Sequence, residues 1–120
     1  MTHTLYQRLG EAKGIARLVD DVMAAHLANP LIKTRFENIK DLERAKRMAR
    51  EFFGAGSGGP DPYTGKDMPA AHKGMNISEQ EYLAATDDIL GAMDKHKYDE
   101  ETKNDVIAIL YSLKNNIIRV

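Results

Sequence analysis

Gly58-Gly59-Pro60-Asp61-Pro62-Tyr63-Thr64-Gly65-Lys66-Asp67-Met68-Pro69-Ala70-Ala71-His72-Lys73-Gly74-Met75-Asn76-Ile77 is the stretch on which the reading of this chain turns. Its first half is a loop, because Gly58, Gly59, Pro60, Pro62 and Gly65 cannot sustain a regular helix. Its second half has room for about one helical turn. Asp67 caps that turn, Pro69 is tolerated where backbone N–H groups are unpaired anyway, and Gly74 stops it. His72 stands on the turn, one turn after Met68 and shortly before Met75 and Ile77.

An imidazole among large apolar neighbours, on a segment too short for a core of its own, has two readings. One is a histidine that only packs and hydrogen-bonds. The other is an axial ligand to a flat apolar cofactor, since haem iron takes a neutral imidazole on its proximal side with apolar groups around the macrocycle.

Outward from this stretch, the remaining segments read as helices. Thr4-Leu5-Tyr6-Gln7 has the form of a capping box, and Gly10 closes the short helix it opens. Ile15, Leu18, Val19, Val22, Met23, His26 and Leu27 recur at helical spacing until Asn29-Pro30. A brief helical piece, Leu31 to Phe36, leads to a polar corner. A longer helix follows from about Asp41 to Ala55, with Leu42, Ala45, Ala49, Phe52 and Phe53 inward and Met48 alongside. Lys46, Arg47 and Arg50 read as its solvated side.

Ser78-Glu79-Gln80-Glu81 is a second capping box, before a helix with Tyr82, Ala85, Ile89 and Met93 inward, ending near His96. Asp99 caps the last helix, whose stripe is Val106, Ile107, Leu110, Leu113 and Ile117. His3 and His96 read as surface residues. No segment alternates as a strand does, so the fold class is all-α.

The chain has 120 residues, enough for a single domain spanning 1–120. Seventeen Lys and Arg stand against 18 Asp and Glu, a net charge of -1, which gives no reason to expect nucleic acid or an anionic membrane as a partner. The absence of cysteine excludes disulfides, Cys-ligated zinc, iron–sulfur clusters and thiol chemistry. No apolar run approaches about 18 residues and no signal pattern opens the chain, so the expectation is a cytoplasmic protein. Packing rules alone leave a four-helix bundle and a globin open.

Tyr63-Thr64-Gly65-Lys66-Asp67-Met68, His72 and the Gly74–Ile77 segment resemble the proximal segment of the group I truncated haemoglobins. Leu5-Tyr6-Gln7-Arg8-Leu9-Gly10, Phe36, Phe52-Phe53 and Gly58-Gly59-Pro60 extend the resemblance over nearly the whole chain. It implies a two-over-two helical sandwich around haem, with a loop and a single proximal turn in place of a long helix. The long Gly/Pro loop suits that fold, whereas in a bundle a structureless stretch of about a dozen residues would need its own explanation.

By the same resemblance His72 is the proximal ligand of haem b, and Phe36 packs on the macrocycle. Met48, Ala49, Phe53, Met68, Met75, Ile77, Tyr82 and Leu110 line it, and Tyr63 and Lys66 stand where polar groups meet the propionates. On the distal side the chain departs from the family. Many members carry a tyrosine where Met23 stands, and glutamine or histidine where Ala45, Met48 and Ala49 stand. A gas ligand that gains negative charge at the iron then lacks a hydrogen-bond donor worth ~1–3 kcal/mol. His26, one turn after Met23 on the same face, is either a core residue or the missing distal group, as hydrogen-bond donor or sixth iron ligand.

The implied function is binding of diatomic gases (O2, NO and CO), with oxygen transport or nitric oxide oxidation as activities. Oxidation needs an electron donor, an unidentified reductase, and gains from a distal donor, so gas binding ranks ahead of turnover. The contrasting reading is a monomeric helical interaction or signalling module without haem, using His72 as a phosphoacceptor or presenting a groove. A phosphoacceptor histidine would sit exposed on a long helix, which His72 does not. A monomer is expected in either case.

Overall fold

The computed structural model describes residues 3–120. Helix α1 (Leu5–Arg8) opens as its residues dictate: the Thr4 hydroxyl accepts the Gln7 N–H at 3.1 Å, and the Gln7 side chain accepts the Thr4 N–H at 2.9 Å. Helix α2 (Glu11–Ala28) buries Ile15, Leu18, Val19, Val22, Met23 and His26, the face its periodicity predicts. Next come α3 (Thr34–Glu37), α4 (Leu42–Gly56), α5 (Met68–His72), α6 (Glu79–Lys95) and α7 (Glu100–Ile117). Extended pairing among the described residues amounts to one isolated parallel bridge, Ile77 with Ile118.

The long helices pack as two pairs, α2 with α4 and α6 with α7, joined where α2 crosses α6. This is the two-over-two arrangement, and its core is one cluster: Leu9, Ile15, Leu18, Val19, Val22, Ile89, Ala92, Met93 and Val106. The short helix α5 rests on α7. At the other end Arg8 ties α1 to α7, donating to the Thr102 hydroxyl at 3.2 Å and to the Asp105 carboxylate at 2.5 Å.

Several side chains stand elsewhere than the sequence suggests: Lys46 and Arg50, expected on the solvated side of α4, are half-buried. Ile107 is 38 % exposed, beside the exposed Leu83 and Tyr111, because α7 turns that edge outward. His96 is half-buried rather than free on the surface: its Nε2 lies 2.6 Å from an Asp21 carboxylate oxygen, bridging α6 to α2. That contact, with Lys95, holds the Asp21 carboxyl below its usual range.

At Gly14, α2 packs tightly against the residue that ends α1. A Cβ there would fall on the Leu9 carbonyl oxygen, inside contact distance. That oxygen cannot retreat, since it also accepts the Tyr98 hydroxyl at 2.5 Å. Gly14→Ala is therefore expected to destabilise the protein by about 1–3 kcal/mol, although alanine is intrinsically the better helix former by ~1 kcal/mol. Thermal denaturation checks the sign: a higher melting temperature would mean that the two helices separate freely.

Candidate functional site

The turn that carries His72 is built locally and then placed by the end of the chain. An Asp67 carboxylate oxygen accepts the Ala70 N–H at 2.8 Å, Pro69 sits in the first turn, and Gly74 leaves it at φ 81°. Gly74 N–H then donates to the Val120 carbonyl at 3.1 Å, and Arg119 N–H to the Ile77 carbonyl at 2.9 Å. These bonds clip the segment after His72 to the residues that follow α7. Ile77 is buried there.

His72 is half-buried, and its Nδ1 lies 2.9 Å from the Met68 carbonyl oxygen. A carbonyl only accepts, so Nδ1 carries a proton, and in the neutral imidazole the lone pair is then on Nε2. This is the second-sphere arrangement that orients a ligating imidazole.

The preceding loop is laid along α4. The Glu51 carboxylate accepts both the Thr64 N–H at 2.8 Å and the Thr64 hydroxyl at 2.6 Å, and these bonds hold its pKa below the usual carboxylate range. Tyr63 meets Phe52 edge-on at 5.8 Å between ring centroids. Gly65 passes so close to Met48 that a Cβ would lie 2.9 Å from its sulfur. The Tyr63 hydroxyl donates to the Lys66 carbonyl at 2.7 Å, so it is engaged within the loop. Lys66 itself is exposed, and only its backbone joins this arrangement.

Of the long helices, α4 has the most one-sided distribution of apolar residues, yet none of them is fully buried. Leu42, Ala45, Met48, Ala49, Phe52 and Phe53 are half-buried, as are Phe36, Met68 and Met75. Ala49, Phe53 and Leu110 border the main core. The Tyr82 hydroxyl donates to the Leu110 carbonyl at 2.5 Å, joining α6 to α7 beside a groove of about 470 Å³ lined by Leu83, Thr86, Ile107 and Tyr111. Apolar surface left half-covered forgoes ~25 cal/mol per Å², which a flat apolar guest would recover.

Haem fits these residues. Among the described residues no group of three or more His, Asp or Glu is placed to hold a bare metal ion. A lone imidazole with a free Nε2 suits an iron whose four equatorial nitrogens come with it. His72 is the side chain that would hold the iron, and the half-buried apolar residues would cover the macrocycle.

His26 is engaged on two sides. Its Nδ1 lies 2.8 Å from an Asp88 carboxylate oxygen on α6, and its ring stacks on Phe36 with centroids 4.7 Å apart and planes 21° apart. Burial pushes the imidazole pKa below its ordinary value, against the opposing pull of Asp88, so the ring is neutral at pH 7. Sequence reasoning missed Asp88, Glu51 and the bidentate Arg35–Glu81 pair at 2.7 and 3.1 Å between α3 and α6. For Asp88 there is one signal: Ala84, Asp88 and Ala92 recur at four-residue spacing, which puts the acid on a face of small, buried residues.

The bacterial-like globin family model matches residues 4–119. A group 1 truncated hemoglobin from Tetrahymena pyriformis is 31% identical over 115 residues, covering 87% of this chain and 94% of that protein. One from Mycolicibacterium paratuberculosis is 25% identical over 114 residues, covering 95% and 83%. The crystal structure of the Tetrahymena pyriformis truncated hemoglobin in its Fe(III) form superposes with a TM-score of 0.93 at 23% identity, covering 98% of this chain and all of that one. With the family model matched along nearly its whole length, the chain belongs to the bacterial-like globins.

Proposed function

We propose that this globin holds haem b with His72 as the proximal iron ligand and binds diatomic gases on the opposite side of the iron. The observation that carries the reading is the His72 Nδ1 contact to the Met68 carbonyl, which commits Nδ1 as the donor and reserves Nε2 for an iron, on a turn flanked by half-buried methionines. Relatives described as truncated hemoglobins, one of them solved in an Fe(III) form, support it. The lack of cysteine favours haem held without thioether links.

When bound, the haem supplies the gas-binding and redox chemistry. The chain's own contribution is to orient one imidazole, cover an apolar macrocycle and set the polarity opposite His72. That polarity is low, because Met23, 5 % exposed, has no hydroxyl to donate and Ala45 and Ala49 offer none. Reversible gas binding therefore ranks ahead of nitric oxide oxidation, which also requires an electron donor. A monomer working in the cytoplasm completes the reading.

The test is reconstitution of the purified chain with haemin, followed by ferric, ferrous and ferrous–CO visible spectra. Stoichiometric uptake with a histidine-ligated ferrous spectrum and a shift on CO is expected. A chain that takes up no haem would sink the proposal and leave the helical interaction module.

A further inference from the structure

We propose that His26, clamped by Asp88 and Asn29, is the positioning residue for Phe36 and so fixes the aromatic face that α3 offers to a bound haem. This rests on the haem reading above for its consequence, but not for its geometry.

Helix α3 is four residues long and has no buried residue of its own. A single turn has no intrinsic persistence in water, so its side chains stay put only where neighbours hold them. Three ties do so. Phe36 lies face to face on the His26 ring, Arg35 grips Glu81, and Asn29 keys the turn that leads into α3. Asn29 works in both directions: its side-chain oxygen accepts the Leu31 N–H at 3.1 Å, while its amide donates to both Asp88 oxygens at 3.1 and 3.2 Å.

Asp88 thus orients both the imidazole under Phe36 and the residue that begins the turn. The His26 and Asp88 side chains are 8% and 14% exposed. A half-buried carboxylate whose partners among the described residues are His26 and Asn29 favours a single arrangement of them, since leaving its charge unpaired there is costly. The imidazole plane is accordingly fixed from one side, and its face has one aromatic neighbour to set. A leucine at this position would fill the space but would leave Asp88 short of a donor and Phe36 without a flat support.

Two substitutions separate the parts. His26→Gln keeps a donor for Asp88 and removes the ring, whereas His26→Phe keeps a ring and removes the donor. In haem-loaded protein, transfer of haem to an excess haem-free globin is expected to be about three- to tenfold faster for His26→Gln than for the native chain, and for His26→Phe, which keeps the flat support but not the clamp, to fall between the two. The Phe36 ring protons should carry an upfield ring-current shift in the native NMR spectrum that His26→Gln loses and His26→Phe retains, with or without haem.

Unchanged transfer and Phe36 shifts in His26→Gln would overturn the proposal. So would acceleration in His26→Phe in step with a lowered melting temperature while His26→Gln stays native, because that would make His26 a structural hydrogen bond only. A change of iron coordination in either variant would overturn it in favour of direct ligation. If the native chain takes up no haem, the haem reading fails, and the Phe36 shifts still decide whether His26 positions the ring.

Discussion

His72→Ala is expected to abolish stable haem binding while leaving the fold intact. The imidazole is half-buried on a single turn, and its one hydrogen bond is to its own turn, so removing it costs the haem-free protein only about 1 kcal/mol. For the haem-loaded protein the loss is larger, because no other histidine is placed on α5 or beside it. Haem retention should fall on the order of a hundredfold or more, and the ferrous histidine-ligated spectrum should disappear. His72→Gly with added imidazole should recover that spectrum, since the turn is held by Asp67 and by the Val120 carbonyl rather than by the missing ring. A variant that kept the native spectrum would move the ligand elsewhere and remove the central claim.

Met23→Tyr is expected to slow dioxygen release from the ferrous protein by about ten- to hundredfold. The side chain is buried on α2 but lies outside the main core cluster, at the position where the resemblance puts a distal tyrosine. A hydroxyl there would donate to a ligand that gains negative charge, a bond worth ~1–3 kcal/mol. Flash photolysis and stopped-flow exchange with CO measure the release, and a melting curve confirms that the larger ring is accommodated. An unchanged rate in a well-folded variant would mean that Met23 does not face the gas, and that the apolar pocket has to be assigned to other side chains.

The helices were legible because their signals are local. Thr4 with Gln7, Asp67 with Pro69 and Gly74, and Asp99 each declare a boundary within a few residues, and in the structure Thr4, Asp67 and Asp99 all accept a backbone N–H as helix caps. The α2 stripe was equally plain, as burial of Ile15 through His26 on one face confirms. His72 could be singled out for the same reason: the capped turn, the methionines and the histidine lie within a few residues of one another.

The side-chain contacts between helices were not legible. Arg8 with Asp105, His26 with Asp88, His96 with Asp21 and Arg35 with Glu81 join residues on different helices, and a lone charge carries no mark of its distant partner. Tyr63 shows the same limit: the resemblance placed it near the propionates, and only the bend of the loop decided that its hydroxyl donates to the Lys66 carbonyl.

By itself, then, the order of residues determined an all-helical chain with one histidine on an isolated turn, since caps, breaks and periodicity act over a few residues. Only tertiary structure decided that Nδ1 of that histidine is committed to a carbonyl, that α4 keeps its apolar face half-covered, and that His26 lies under Phe36. Those outcomes depend on which faces meet once α2 has crossed α4 and α6, and packing across the whole chain, not local preference, sets that crossing.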